Sequence, residues 1–183
     1  YGFAVLREKP SSFDADYWAL ARCEAGWRVE LAFAQERPDW SAFAAQLFGV
    51  GPEDESLAYH DLAAGRRRFA AFTGTHLVGA LFLAREPVAV SRTWAVDQLR
   101  AEFVRPQDRL AMIAGRPGQG QVDRGATVCS CFGVGVNEIA AAVRNGCHTV
   151  DAIGASLQAG TNCGSCRAEI KDIIDANLLK AGE

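Results

Sequence analysis

No apolar run in this 183-residue chain approaches the roughly 18 residues that a membrane span requires, and no secretory-signal pattern stands at its start. Read as it stands, that predicts a cytoplasmic protein with no membrane partner. Lysine is scarce, three residues beside 16 arginines, and the net charge is -3. Without a basic excess there is no electrostatic footprint for nucleic acid. Six cysteines fall well short of the density of a secreted disulfide scaffold, and their paired spacing points to metal or redox chemistry ahead of a framework of bridges. No Ser/His/Asp arrangement, carboxylate pair or phosphate loop stands out, and no bond-breaking chemistry is expected of this stretch. An opening methionine is also missing. Tyr1-Gly2-Phe3 runs straight into a strand-like pattern, which is the expectation for the C-terminal piece of something longer.

What is present reads first as α+β, over residues 1–115. Trp27, Val29, Leu31 and Phe33 alternate with Arg28, Glu30 and Ala32, the period of a half-buried strand. Glu24-Ala25-Gly26 turns it back on a partner at Tyr17 to Ala21. Asp39 is placed to cap a helix carrying Trp40, Phe43, Ala44, Leu47 and Phe48, which Gly49 ends. After the loop 51–55 come strands at Leu57 to Leu62, Arg66 to Phe72 and His76 to Leu83, then a helix capped by Ser91 with Trp94, Leu99 and Phe103. A shorter helix follows Pro106 and stops at Gly115. Hairpin and Trp-bearing helix thus occur twice, two β-hairpin/helix units that hint at an internal duplication.

Residues 116–125 hold four Gly or Pro and no apolar periodicity, as a linker does. Beyond them, residues 126–183 read as a small all-α domain. A first helix runs from Val136 to Asn145 with Gly146 behind it. Thr149 caps a second that Gly160 ends, and a third starts at Gly164 with Ile170, Ile173, Ile174 and Leu178 on one face.

Five of the six cysteines lie in this last third. Cys129-Ser-Cys131 is followed, after 31 intervening residues, by Cys163-Gly-Ser-Cys166. Each pair precedes a helix, where unpaired N–H groups favour anionic sulfur. Four thiolates around an oxidised [2Fe-2S] core carry a formal charge of about -2, which such donors offset. The small residues Ser130, Gly164 and Ser165 let backbone approach inorganic sulfide, and Gly133 and Gly135 do so after the first pair. Structural zinc is the alternative on the residues alone, although zinc motifs favour a gap of two to four residues within each pair. A unit of this size with little apolar material needs a stabilising ligand, and either metal serves.

The segments Val128-Cys129-Ser130-Cys131-Phe132-Gly133-Val134 and Gly160-Thr161-Asn162-Cys163-Gly164-Ser165-Cys166 resemble the [2Fe-2S] domain of the bacterioferritin-associated-ferredoxin type. With Ala152-Ile153-Gly154-Ala155, they are also similar to the domain that ends the catalytic subunit of bacterial assimilatory nitrate reductases. That resemblance implies Cys129, Cys131, Cys163 and Cys166 as cluster ligands, with Gly133, Gly164, Ser165 and Arg167 around the cluster. It implies a [4Fe-4S] cluster and a molybdopterin dinucleotide in a part that is not present. It also implies electrons supplied by an NAD(P)H-dependent flavoprotein reductase, a ferredoxin or a flavodoxin, and passed to the catalytic body of the same chain. Residues 1–115 are then a scaffold. Flavoprotein nitrite reductases carry a related region, which Leu57 to Ala84 fits; a zinc-stapled binding module is the non-catalytic reading. Many family members have Ser or Thr in place of Gly135, and an apolar residue in place of Cys147.

Other candidates have plainer readings. Cys147 and Cys23 are expected as small core residues, His148 as no ligand because four thiolates complete the site, and His60 and His76 as hairpin residues. Gly133-Val-Gly135 lacks the context of a dinucleotide fingerprint. Arg66-Arg67-Arg68 reads as a charge-guarded edge strand, or else a docking patch for an acidic redox partner. Trp18, Trp27, Trp40 and Trp94 are expected in the core.

Overall fold

The computed structural model describes residues 1–51, 53–118 and 122–181. Pro52 of the predicted loop and residues 119–121 of the predicted linker lie outside the described residues. The chain divides into two compact units, one from residues 1–90 and 94–118, the other from 91–93 and 122–181.

In the first unit, β1 (Gly2–Leu6), β2 (Tyr17–Cys23), β3 (Gly26–Ala32), β4 (Glu55–Asp61), β5 (Arg66–Thr73) and β6 (His76–Leu83) form one antiparallel sheet in the order β2-β3-β1-β6-β5-β4. The two hairpin units are therefore halves of a single sheet, and β1 is the strand that joins them. It pairs with β3 from Gly2 opposite Leu31 to Leu6 opposite Trp27, and with β6 from Gly2 opposite Leu83 to Leu6 opposite Gly79. All five of its residues are buried, because both faces of the sheet are covered at its centre. Phe3 and Val5 enter a core with Phe72, Leu77 and Phe82, roofed by Ala95, Leu99, Phe103 and Met112. Ala4 and Leu6 enter the opposite core with Val29, Leu31 and Leu81 under Trp40, Phe43 and Leu47.

The helix over this second face, α1 (Trp40–Phe48), is bounded as its sequence dictates. The Asp39 carboxylate accepts the Ala42 N–H at 2.9 Å, and Gly49 closes the far end in the left-handed conformation. The helix expected from Ser91 to Phe103 is shorter. It comprises α2 (Arg92–Asp97) and a 3₁₀ turn over Gln98–Arg100, and the chain then extends so that Phe103 N–H reaches Thr75 O. In α3 (Pro106–Ala114), Pro106 opens the helix and Gly115 stops it in the left-handed conformation.

Two expectations fail in this unit. Trp18 is 57% exposed, because β2 is an edge strand and α1 packs against β5 and β6 instead. Its ring meets Phe13 edge to face at 5.4 Å. The Arg66-Arg67-Arg68 run lies on no edge, since β4 pairs outside β5 along its length. The other tryptophans are buried or half-buried.

The second unit is mostly helical rather than wholly so. β7 (Thr127–Cys129) and β8 (Val134–Gly135) make a two-stranded ribbon, because the chain reverses through the loop that carries the first cysteine pair. Then follow α4 (Val136–Arg144), α5 (Val150–Leu157) and α6 (Arg167–Ala181). Ile139, Val143, Ile153, Ile170 and Ile174 form their common core, with Cys129 and Cys166 in its wall. Thr149 Oγ1 accepts the Ala152 N–H and caps α5. The residue that turns the chain out of α5 is Gln158, at φ 62°, two residues before the expected Gly160.

Candidate metal centre

Two loops of the second unit bring the four predicted thiols together. The first links β7 to β8, and its reversal needs Gly133 at φ 64°. Past it, the Gly135 N–H donates to the Glu138 carboxylate at 2.9 Å, which fixes the start of α4 without help from a side chain at position 135. The second loop runs from the end of α5 to the start of α6. Thr161 Oγ1 donates to Gln158 O at 2.7 Å, and Gly164 at φ 74° lets Arg167 N–H return to its carbonyl at 3.1 Å. Cys166 then stands directly before α6, and its own carbonyl accepts from Ile170.

The thiols come as two pairs. Cys131 and Cys163, both exposed, have their Sγ atoms 3.5 Å apart. Cys129 and Cys166, 2% and 6% exposed, both lie in the core wall, where each shifts the other's titration. Among the described residues, no three His, Cys, Asp or Glu side chains converge as a site for one metal ion would require.

Donors surround the sulfurs. The Ser165 hydroxyl lies 3.1 Å from Cys163 Sγ, and with the Ser165 N–H and the Cys131 thiol it brings Cys163 down to about 7. Burial pushes the Cys129 thiol up, but N–H groups of Gly160 and Phe132, the Cys166 thiol and the Cys131 N–H together pull it below the ordinary value. Cys166 moves the other way, raised by its burial and by the hydrogen bond and charge of Cys129. The Gly160 N–H serves both buried sulfurs.

Of the remaining predicted residues, Arg167 binds Asp151 at 2.7 Å, which shares out the charge expected to face the cluster. Cys147 packs half-buried against the core of this unit, and Cys23 against that of the first. His148 is exposed, and His60 stacks edge-on against Phe69 at 5.4 Å. Glu138 was missed at the sequence level, although its place three residues past Gly135 was the available signal.

Residues 127–176, the stretch containing both cysteine pairs, match the BFD-like [2Fe-2S] binding domain. That stretch is therefore similar to domains of that class. Over 98 residues, 54% of the chain, it is 40% identical to a nitrate reductase of Klebsiella oxytoca, of which it spans 11%. It is 42% identical over 72 residues, 38% of the chain, to the large subunit of the NADH nitrite reductase of Escherichia coli K12, of which it spans 8%. A nitrogen fixation protein NifU of Leptolyngbya boryana shares 47% identity over 55 residues, 30% of the chain and 27% of that protein. The chain thus corresponds to a small part of each relative. No helix among the described residues is long and apolar enough to cross a membrane.

Proposed function

We propose that this chain is the electron-relay portion of an oxidoreductase, holding a [2Fe-2S] cluster on Cys129, Cys131, Cys163 and Cys166. The observation that carries the reading is the grouping of the thiols in two pairs on two loops. A two-iron core takes two thiolates per iron, whereas a structural zinc needs four sulfurs about one centre. Bound there, the cluster supplies one-electron transfer. The protein's part is to present anionic sulfur, with donors from Gly160, Phe132 and Ser165 offsetting the charge. Gly133 and Gly164 make the loop turns, and Arg167, tied to Asp151, stands at the first turn of α6 as a partial counter-charge.

The whole protein, in this reading, is a cytoplasmic molybdenum-dependent assimilatory nitrate reductase. Residues 126–183 are its cluster domain, residues 116–125 the linker before it, and residues 1–115 a scaffold. An NAD(P)H-dependent flavoprotein reductase, a ferredoxin or a flavodoxin supplies electrons. They pass to a [4Fe-4S] cluster and a molybdopterin dinucleotide in the catalytic body of the same chain. The similarity to a nitrate reductase favours this over the nitrite reductase reading. It runs over 98 residues against 72.

Metal analysis of the purified chain tests the centre. Two irons and two acid-labile sulfides per chain, with an EPR signal after dithionite, are expected; one zinc and a colourless solution overturn the reading. The sequence encoded upstream of Tyr1 tests the enzyme: a molybdopterin-binding domain supports nitrate reduction, and flavin-binding fingerprints support the rival.

A further inference from the structure

The arginine run of β5 divides between the two faces of the sheet, as the alternation of a strand requires. Arg67 turns to one face and pairs with Glu36. Arg66 and Arg68 turn to the other, where with Arg116 they line a cavity of about 630 Å³ in the first unit. Its walls are apolar, among them Phe82, Val88, Val90 and Ile113. Leu110, 60% exposed, and Tyr59, 43% exposed, also line it. The volume suits a small molecule, and apolar walls with a few convergent polar groups are what such sites present.

The charges in this cavity are unbalanced. Three guanidinium groups line it against one carboxylate, Glu86. Elsewhere in this unit Arg37, Arg67, Arg100, Arg105 and Arg109 each hold an Asp or Glu. Arg66 and Arg116 form no ion pair among the described residues. Arg68 is locked in place by its own contacts. Its Nη1 donates to the carbonyls of Ile113, at 3.0 Å, and Ala114, and its guanidinium lies over the Tyr59 ring at 5.8 Å. Burial and the charges of Arg66 and Arg116 disfavour its cation more than Tyr59 and Asp61 favour it, a strain that an anion in the cavity would relieve.

We propose that this cavity binds a phosphate monoester carrying a planar apolar group, its phosphate held by Arg66, Arg68 and Arg116 and its ring on the apolar wall. Guanidinium groups match phosphate oxygens in bidentate geometry, and a dianion answers the excess of positive charge. The site is independent of the cysteine centre and of the reading built on it.

Calorimetric titration of the full chain with phenyl phosphate, inorganic phosphate, phenol and a glutamate-rich peptide tests the proposal. Phenyl phosphate is expected to saturate one site and to bind about tenfold or more tightly than the other three, a difference of about 1.4 kcal/mol. Replacing both Arg66 and Arg116 by Gln is expected to weaken it about tenfold or more with the circular dichroism unchanged, while Arg100→Gln leaves it as it was. Arg68 is kept, because it holds the end of α3. Absence of saturation overturns the proposal, as does undiminished binding by the double variant. Inorganic phosphate or the acidic peptide binding as tightly as phenyl phosphate overturns it too.

Discussion

Cys131 Sγ and Cys163 Sγ lie 3.5 Å apart although 32 positions separate them in the chain. Two loops, each shaped by a glycine in the left-handed conformation, set that distance, and the packing of α4 and α6 behind them maintains it. The pair is exposed while Cys129 and Cys166 are buried, so the two halves of the centre meet different surroundings.

The exposed pair is the one expected to oxidise first in metal-free protein. A thiolate attacks faster than a thiol, and Cys163, at about 7, is half ionised near neutrality. Diamide, which accepts the two electrons and two protons released, should give a Cys131–Cys163 disulfide, at a rate that climbs as pH rises through 7. Peptide mapping checks it; a first bridge between Cys129 and Cys166 contradicts the geometry.

Ser165→Ala removes the hydroxyl that lies 3.1 Å from Cys163 Sγ. In the metal-free chain the Cys163 thiol should move back up towards its ordinary value, read as slower alkylation at pH 7. With a cluster bound, the potential should fall, because a donor to sulfur favours the more negative reduced state. Voltammetry of the iron-loaded protein measures it.

Gly135→Ser tests the start of α4. Serine is ordinarily the better cap, worth a few tenths of a kcal/mol over Gly. Here a Cβ at position 135 would stand 1.8 Å from Arg124 O, a backbone atom that cannot swing aside. The substitution is therefore expected to destabilise the second unit, by about 1–3 kcal/mol as overpacking does, measured by chemical denaturation.

Phe3→Ala and Trp18→Ala should differ sharply for residues of similar bulk. Phe3 is fully buried and stacked on Phe82 at 4.9 Å, so its loss should cost about 3–5 kcal/mol. Trp18, more than half exposed on an edge strand, should cost far less. Urea unfolding followed by circular dichroism compares the two.

The strands from Tyr17 to Leu83 were legible in alternation and turn residues, and so were the caps Asp39, Gly49, Gly115 and Thr149. Each of those signals acts within a few positions. The pairing of Phe3 with Glu30 on one side and Phe82 on the other is set by burial on both faces, which no local period encodes. For the same reason the exposure of Trp18 could not be read: it depends on where a distant helix packs. At the candidate centre the four cysteines and the small residues between them were visible as a spacing, whereas the partition into an exposed and a buried pair was not. Each loop contributes one cysteine of each kind, so the partition depends on which residue of a loop turns towards the Ile139–Ile170 core. The 3₁₀ turn that ends the helix before Ala101 likewise follows the tie between Phe103 N–H and Thr75 O, a contact between distant residues.

Because the chain's first strand is also the middle of its sheet, the ladder β2–β3 and the ladder β6–β5–β4 are joined, among the described residues, by strand pairing through Gly2–Leu6. Clipping those five residues would leave two ribbons with open edges, each lined by apolar side chains and free amides. A protease nick in the segment between β1 and β2 would be tolerated differently, since the severed strand could stay seated by its paired neighbours on either side rather than by its covalent tether.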